Sequence, residues 1–196
     1  MQFADIIGQK ETKQQLAELV QHNRLSHALL FLGKEGSGSL SLAIAFAQYV
    51  VCEKVNGGKS GVGSQESGPS LFGEPENSNV EPPTLNDSCG VCPACQKAQQ
   101  LIHPDIHFSY PTVTKKPGEK PVATDFITDW REFVKLSPYG NSYDWIEQIK
   151  EKENSQGKIT AEECNDIIRK LSLKSFESVY KILIMWMPEM LGTEGN

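Results

Sequence analysis

The feature that most constrains this chain is a glycine-containing loop between an apolar segment and a helical one. Gly33 and Gly38 occupy the two glycine positions of the pattern G-x-x-x-x-G-K-[ST]. In that pattern, backbone N–H groups and a helix N-terminus hold phosphate, the lysine neutralises it, and the hydroxyl residue binds Mg²⁺. Residues 29–32 ahead of the loop predict a buried strand, and residues 40–47 behind it predict a packed helix. The context is therefore that of a phosphate-binding loop.

The side chains that perform the chemistry of such a loop are missing. Ser39 stands at the lysine position and carries no charge, and Leu40 stands at the hydroxyl position and offers Mg²⁺ no oxygen. Lys34 lies at the wrong end of the loop to replace the lysine. We therefore predict a degenerate loop that does not bind ATP. The simpler alternative is a glycine-rich turn between strand and helix that never bound phosphate.

Composition narrows the class of partner. The chain has 196 residues and a net charge of -6, which argues against a free-standing nucleic-acid binder because phosphate contacts require a basic face. No apolar run is long enough to span a bilayer, and the first residues lack the basic start and apolar core of a secretion signal. We expect a cytoplasmic protein whose ligand is another protein, with no membrane partner.

Four of the five cysteines have the spacing of a metal site. Cys89, Cys92 and Cys95 form the pattern C-x₂-C-x₂-C, and Cys52 can return across the intervening loop as a fourth ligand. Four thiolates suit tetrahedral Zn²⁺. The sequence therefore predicts a structural zinc that joins the end of one helix to the start of the next.

Three alternatives to this assignment stay open at the level of sequence. The first is an iron–sulfur cluster, whose bacterial run requires another cysteine at the position of Gln99, and the second is a set of free thiols. His103 or His107 offers a nitrogen ligand in place of Cys52. Cys164 is excluded as a ligand because it belongs to an apolar helical stripe with Ile167, Ile168 and Leu171, which predicts a core position.

The chain divides by composition into four parts. Residues 1–54 hold the degenerate loop, 55–88 form a flexible insertion rich in Gly, Ser, Pro and Asn, and 89–101 form the zinc module. Residues 102–196 complete an α/β core in which 125–155 predict a helical insertion. Trp130 and Trp145 lie in that insertion, and without a basic stripe we interpret them as packing residues rather than platforms for bases.

The last informative segment is residues 180–190, whose continuous apolar run with short flanks predicts a buried parallel strand. In phosphate-loop ATPases such a strand ends in acidic residues that hold Mg²⁺ and polarise the attacking water. Here Trp186 and Met187 occupy those positions, and Glu189 lies beyond them. This segment is therefore also degenerate.

Taken together, these segments resemble the delta-prime family of bacterial DNA polymerase III clamp-loader subunits, which are AAA+ relatives. The resemblance covers nearly the whole chain and combines six features: residues 7–9, residues 24–33, the decayed loop, the four cysteines, His103-Pro104-Asp105 and residues 180–184. It implies a P-loop/AAA+ type parallel sheet flanked by helices, with an inserted small zinc-binding module. It also implies a pentameric ring with gamma/tau motor subunits and delta, which loads the sliding clamp on primed DNA.

Within that family the chain has lost the loop lysine, its hydroxyl neighbour and both acids, so the resemblance implies a stator without ATPase activity. The family's Ser-Arg-Cys motif, lid and collar do not appear before Asn196, so we expect an N-terminal piece. The long gap between Cys52 and Cys89 and the aromatic insertion depart from the family pattern, and the resemblance gives neither a function. Two further functions stay open: an ATP-hydrolysing gamma/tau-type subunit, and an unrelated zinc-containing interaction module.

Overall fold

The structure, a computed structural model, describes residues 1–56, 86–114, 118, 120–150 and 155–192. Most of the predicted insertion at 55–88 lies outside these residues. The described residues contain two strands and six α-helices: α1 (Lys10–Gln21), α2 (Ser39–Val51), α3 (Pro93–Gln99), β1 (Ile106–Ser109), α4 (Ile127–Leu136), α5 (Ser142–Ile149), α6 (Ala161–Ser172) and β2 (Ile182–Met185). No helix in the described part of the chain combines the length and apolarity needed to cross a bilayer.

The sheet is small and parallel. β1 pairs with β2 in the register Ile106 to Ile182 through Ser109 to Met185, and α4, α5 and α6 lie in the connection between the strands. Parallel strands need such a crossover because a tight turn cannot reverse the chain twice. The parallel strand predicted within residues 180–190 is confirmed at Ile182–Met185, but of these four residues only Ile184 is buried. The sequence after Pro104-Asp105 also predicts a strand at residues 107–110, and β1 confirms it one residue earlier, at Ile106–Ser109.

The predicted strand at residues 29–32 is wrong. These residues have no ladder partner in the described chain, and Leu30 and Leu32 are 80% and 87% exposed. The physical reason is the missing neighbour: the described sheet contains β1 and β2 alone, so nothing pairs with this apolar segment. Phe31 nevertheless lies against Phe46 of α2, with 6.0 Å between ring centroids.

Helix α2 lies at the centre of the packing. Eleven of its thirteen residues are buried, because an almost entirely apolar helix is stable only when covered on all sides. One face joins an apolar cluster with α1 and the N-terminal turn around Phe3. The other joins a larger cluster that includes the sheet, the cysteines and the aromatic side chains of α4 and α5. Both ends of α2 are therefore packed in the core.

Helix α6 corrects two details of the sequence analysis. The sequence predicts that Thr160 and Glu163 form a capping box at the start of this helix. Thr160 accepts the Glu163 N–H at 3.1 Å as predicted, but the Glu163 carboxylate accepts the Ala123 N–H at 2.6 Å. The apolar stripe predicted as core is only partly so. Ile167 is buried, whereas Ile168 is 67% exposed because no described element covers that face.

The turn before β2 is fixed to the start of β1 by one buried carboxylate. Asp105 accepts N–H groups of Phe176, Glu177 and Ser178 at 2.6, 2.7 and 2.9 Å. Burial by itself raises the pKa of Asp105, but these three donors outweigh it, and the net pKa lies below the ordinary value. The carboxylate is therefore more stable in the folded chain than in the unfolded one.

We expect Asp105→Asn to lower the free energy of unfolding by about 2–3 kcal/mol at pH 7, because hydrogen bonds to a charge are the stronger ones. The folded pKa is depressed, so the contribution is complete above the unfolded value of about 3.9 and is lost as pH falls through the folded pKa. Urea unfolding at several pH values measures this. Asp129→Asn, at a half-exposed position on α4, is the control; an equal loss for both variants would contradict the account.

Candidate metal centre and degenerate phosphate loop

Four cysteine side chains converge between α2 and α3. Cys52 follows the last residue of α2, Cys89 follows Ser88 in the segment before α3, Cys92 caps α3, and Cys95 lies in its first turn. The four Sγ atoms lie within 4.8 Å of one another, and those of Cys89 and Cys95 are 3.9 Å apart. Three of the four side chains are buried. The fold thus brings together all four residues predicted as metal ligands.

Backbone N–H groups point at these sulfur atoms. The N–H of Cys89 donates to Cys52 Sγ at 3.3 Å, that of Cys92 to Cys89 Sγ at 3.4 Å, and that of Cys95 to Cys92 Sγ at 3.5 Å. Hydrogen bonding from the Cys95 thiol lowers the pKa of Cys52, and the Cys89 N–H lowers it further against the effect of burial. The same thiol pair and burial raise the pKa of Cys95. The cluster therefore favours at least one thiolate, the form that binds metal.

The arrangement fits a single tetrahedral ion. With Zn–S bonds of about 2.3 Å, a tetrahedron of sulfur atoms has edges of roughly 3.8 Å, close to the 3.9 Å between the Sγ atoms of Cys89 and Cys95. Four thiolates leave no position for water or substrate, which is the pattern of a structural site. An iron–sulfur cluster places several atoms between its cysteines and requires a wider cage. The four cysteines can therefore hold a metal ion such as zinc.

The two histidines considered as alternative ligands have other positions. His103 is buried, its Nδ1 accepts the Asp105 N–H at 3.1 Å, and its Nε2 lies 3.9 Å from a Glu177 carboxylate oxygen. Burial lowers the pKa of His103, so the ring is neutral at pH 7. His107 lies on β1. The metal-ligating group among the described residues consists of cysteines alone.

The degenerate loop has an ordered turn and a helix start. The Ser37 N–H donates to the Lys34 carbonyl at 3.0 Å, and the Gln9 side chain donates to the Ser37 carbonyl at 2.6 Å. Gly38 adopts a left-handed φ of 80° at the N-cap of α2. Leu40 is buried in the apolar cluster, and Ser39 is half-exposed. The side chain at the Mg²⁺-ligand position of the motif thus serves the core.

The residues at the acidic positions after β2 also serve packing. Trp186 is buried, and its ring lies 5.4 Å from that of Trp130 and 5.7 Å from that of Phe133. Met187 adopts a left-handed φ of 55°, and Glu189 is exposed in the following 3₁₀ turn. No carboxylate therefore occupies the position at which a phosphate-loop ATPase holds Mg²⁺.

The tryptophan side chains of α4 and α5 belong to the core, as predicted. Trp130 and Trp145 are fully buried with ring centroids 5.2 Å apart, and Tyr110 stacks on Trp130 at 4.0 Å. The Trp145 indole N–H donates to the Pro111 carbonyl at 2.7 Å. A buried ring cannot also stack on an exposed base, so these residues are packing residues.

Sequence reasoning missed a contact between the helical insertion and the loop. A Cβ added at Gly38 would lie 2.6 Å from the Tyr139 ring, and the Tyr139 hydroxyl accepts the Ile7 N–H at 2.9 Å. The Ser41 hydroxyl donates to the Pro138 carbonyl. The sole hint in the sequence is the segment Pro138-Tyr139-Gly140, which reads as an ordinary turn.

Two sequence comparisons with known proteins match subunits of DNA polymerase III. Residues 8–71 match the family described as DNA polymerase III, delta subunit. DNA polymerase III subunit tau/gamma of Haemophilus influenzae is 44% identical over 50 residues, which is 26% of this chain and 7% of that relative. The chain thus matches only a small part of that curated relative. No solved structure matches the chain. Both sequence matches support the DNA polymerase III clamp-loader family, and they leave the subunit unresolved.

Proposed function

We propose that this chain is part of a delta-prime-type clamp-loader subunit, a non-catalytic stator with a P-loop/AAA+ type core that helps to load the sliding clamp on primed DNA. One observation carries the proposal: Leu40 and Trp186 stand where a phosphate-loop ATPase has its Mg²⁺ ligands, and both are buried in one apolar cluster. A polar side chain restored at either position would be buried in an apolar cluster, which is unfavourable without a hydrogen-bond partner. The packing of the core therefore disfavours a Mg²⁺ site here.

The missing side chains weaken the binding of nucleotide and remove the groups that hydrolysis requires. Losing one charge-assisted phosphate contact at Ser39 costs roughly 1.5–3 kcal/mol. Losing Mg²⁺ and the carboxylate that polarises water removes the electrostatic stabilisation on which phosphoryl transfer depends. We therefore propose that the chain has no ATPase activity, and that any residual nucleotide binding is weak.

The cysteine cluster has a structural role in this proposal. A zinc ion bound by Cys52, Cys89, Cys92 and Cys95 would join the end of α2 to the start of α3 and close the long insertion between them. The partners proposed for the chain are the gamma/tau and delta subunits, with the clamp and DNA engaged through the complex in the cytoplasm. In this role the chain supplies a rigid surface rather than a moving one.

Reconstitution tests the proposal. The zinc-loaded chain is mixed with purified delta and gamma/tau subunits and examined by size-exclusion chromatography, and ATP turnover is measured with and without it. We expect co-elution with these subunits and no turnover by the chain alone. Turnover by the chain alone would favour the gamma/tau-type reading, which the tau/gamma match makes the second candidate. A folded, zinc-loaded chain that binds neither subunit would instead indicate an unrelated interaction module.

A further inference from the structure

We propose that the α4–α5 hairpin, residues 123–149, permanently occupies the crevice in which a phosphate-loop fold binds its magnesium nucleotide. This inference rests on the proposed function, because it takes residues 33–40 to be a degenerate phosphate loop. It assigns a role to the aromatic insertion, which neither the resemblance nor the sequence matches explain. The loss of nucleotide response then has two layers: missing side chains and filled space.

The hairpin lies at the carboxyl end of the two strands. Ligands of parallel α/β sheets bind outside the carboxyl ends of the strands. Tyr110 follows β1 and Trp186 follows β2, so both mark that edge. Trp130 of α4 packs on both rings, at 4.0 Å and 5.4 Å between centroids, and Phe133 packs on Trp186. The hairpin therefore covers the carboxyl edge of the described sheet.

The turn of the hairpin contacts the degenerate loop at Gly38. Tyr139, in the turn between α4 and α5, lies so close to Gly38 that any side chain there would collide with its ring. Two hydrogen bonds hold the hairpin turn beside this contact. The Ser41 hydroxyl donates to the Pro138 carbonyl, and the Ile7 N–H donates to the Tyr139 hydroxyl. The N-terminus of α2, where phosphate would approach, is thus flanked by protein.

Three hydrogen bonds join the hairpin to the rest of the chain. Before α4, the Ala123 carbonyl accepts the buried Tyr110 hydroxyl at 2.7 Å. In α4, Arg131 Nε donates to the Leu101 carbonyl at 3.2 Å, and in α5 the Trp145 indole donates to Pro111 at 2.7 Å. Moving the hairpin aside would break these bonds and expose the aromatic cluster. Residues 123–149 therefore act as a fixed filling and not as a lid.

The experiment compares binding of N-methylanthraniloyl-ATP, by fluorescence anisotropy without Mg²⁺, among four forms of the chain: unmodified, Ser39→Lys, Ser39→Lys with Tyr139→Ala, and Ser39→Lys with Tyr143→Ala. Ser39 is half-exposed, so a lysine fits there. Tyr143 is the matched control because it lies on the same hairpin and is 69% exposed. Circular dichroism verifies that each form is folded.

We expect the Ser39→Lys, Tyr139→Ala form to bind at least about tenfold more tightly than Ser39→Lys alone, and the Tyr143→Ala form to bind like Ser39→Lys alone. Equal affinity with and without Tyr139 would overturn the inference, as would absence of binding by the folded Tyr139→Ala form. Both results leave the proposed function intact. Tight binding by the unmodified chain would instead refute the proposed function.

Discussion

We expect that replacing Cys95 with serine removes the proposed zinc from the chain and lowers its free energy of unfolding by roughly 5 kcal/mol or more. Structural zinc binds zinc-finger peptides with about 10–16 kcal/mol of apparent free energy, and a site reduced to three thiolates retains only part of that. Cys95 is fully buried, and its backbone N–H bonds to Cys92 Sγ. For a chain of this size the loss corresponds to a fall of about 10–20 °C in thermal midpoint.

Cys164→Ser is the matched control for this prediction, since it makes the same thiol-to-hydroxyl change on α6, outside the cluster. Elemental analysis after gel filtration in metal-free buffer counts zinc per chain, and thermal unfolding followed by circular dichroism gives the midpoint. We expect about one zinc and an unchanged midpoint for the control. Equal zinc content in Cys95→Ser and the unmodified chain would show that the four thiols do not form the site.

The second large effect is expected for Trp130→Ala, which lowers the free energy of unfolding by about 3–5 kcal/mol. Trp130 is fully buried and lies at the centre of the aromatic cluster, with five ring partners: Phe108, Tyr110, Phe133, Trp145 and Trp186. Truncation removes these contacts and leaves a cavity between the sheet and the hairpin. Urea unfolding followed by far-ultraviolet circular dichroism measures the change.

Two further variants define the mechanism of that loss. Trp130→Phe keeps a ring in the cluster, and the Trp130 indole N–H has no hydrogen-bond partner among the described residues, so we expect a cost of roughly 1–2 kcal/mol. Tyr143→Ala, on the exposed side of α5, should change the free energy of unfolding by less than about 0.5 kcal/mol. Similar losses for Trp130→Ala and Tyr143→Ala would mean that the hairpin does not pack on the sheet.

The cysteine cluster could be predicted from the sequence because its information is local. Three thiols at fixed short spacing can face one point only in a tight turn before a helix, and a fourth cysteine at a helix end completes a tetrahedral set. The same holds for the start of α6, where Thr160 accepts the predicted N–H. Spacing along the chain was sufficient for both.

The strand predicted at residues 29–32 shows where local information ends. Its residues have strand-forming apolar character, but a strand exists only when another strand offers its N–H and C=O groups. β1 and β2 pair with each other, whereas residues 29–32 have no strand partner in the described chain. Apolar composition predicts burial, whereas pairing depends on which segments meet in space.

The hairpin contacts were beyond sequence reasoning for a related cause. The sequence predicts that Trp130 and Trp145 pack, but nothing in their spacing indicates that Trp130 packs on Trp186 or that the adjoining turn meets Gly38. Such pairings join residues more than fifty positions apart and follow from the tertiary fold. The substitution of tryptophan for an acid was visible in the sequence; the rings that surround it were not.

The measurement that tests the central claim most directly is isothermal titration of ATP with Mg²⁺ into the zinc-loaded, unmodified chain. The account predicts no saturable heat, because Ser39 carries no charge, Leu40 and Trp186 offer no Mg²⁺ ligand, and the hairpin fills the crevice. Saturable binding with a dissociation constant in the micromolar range, about -8 kcal/mol, would contradict it and identify the chain as a nucleotide-responsive subunit.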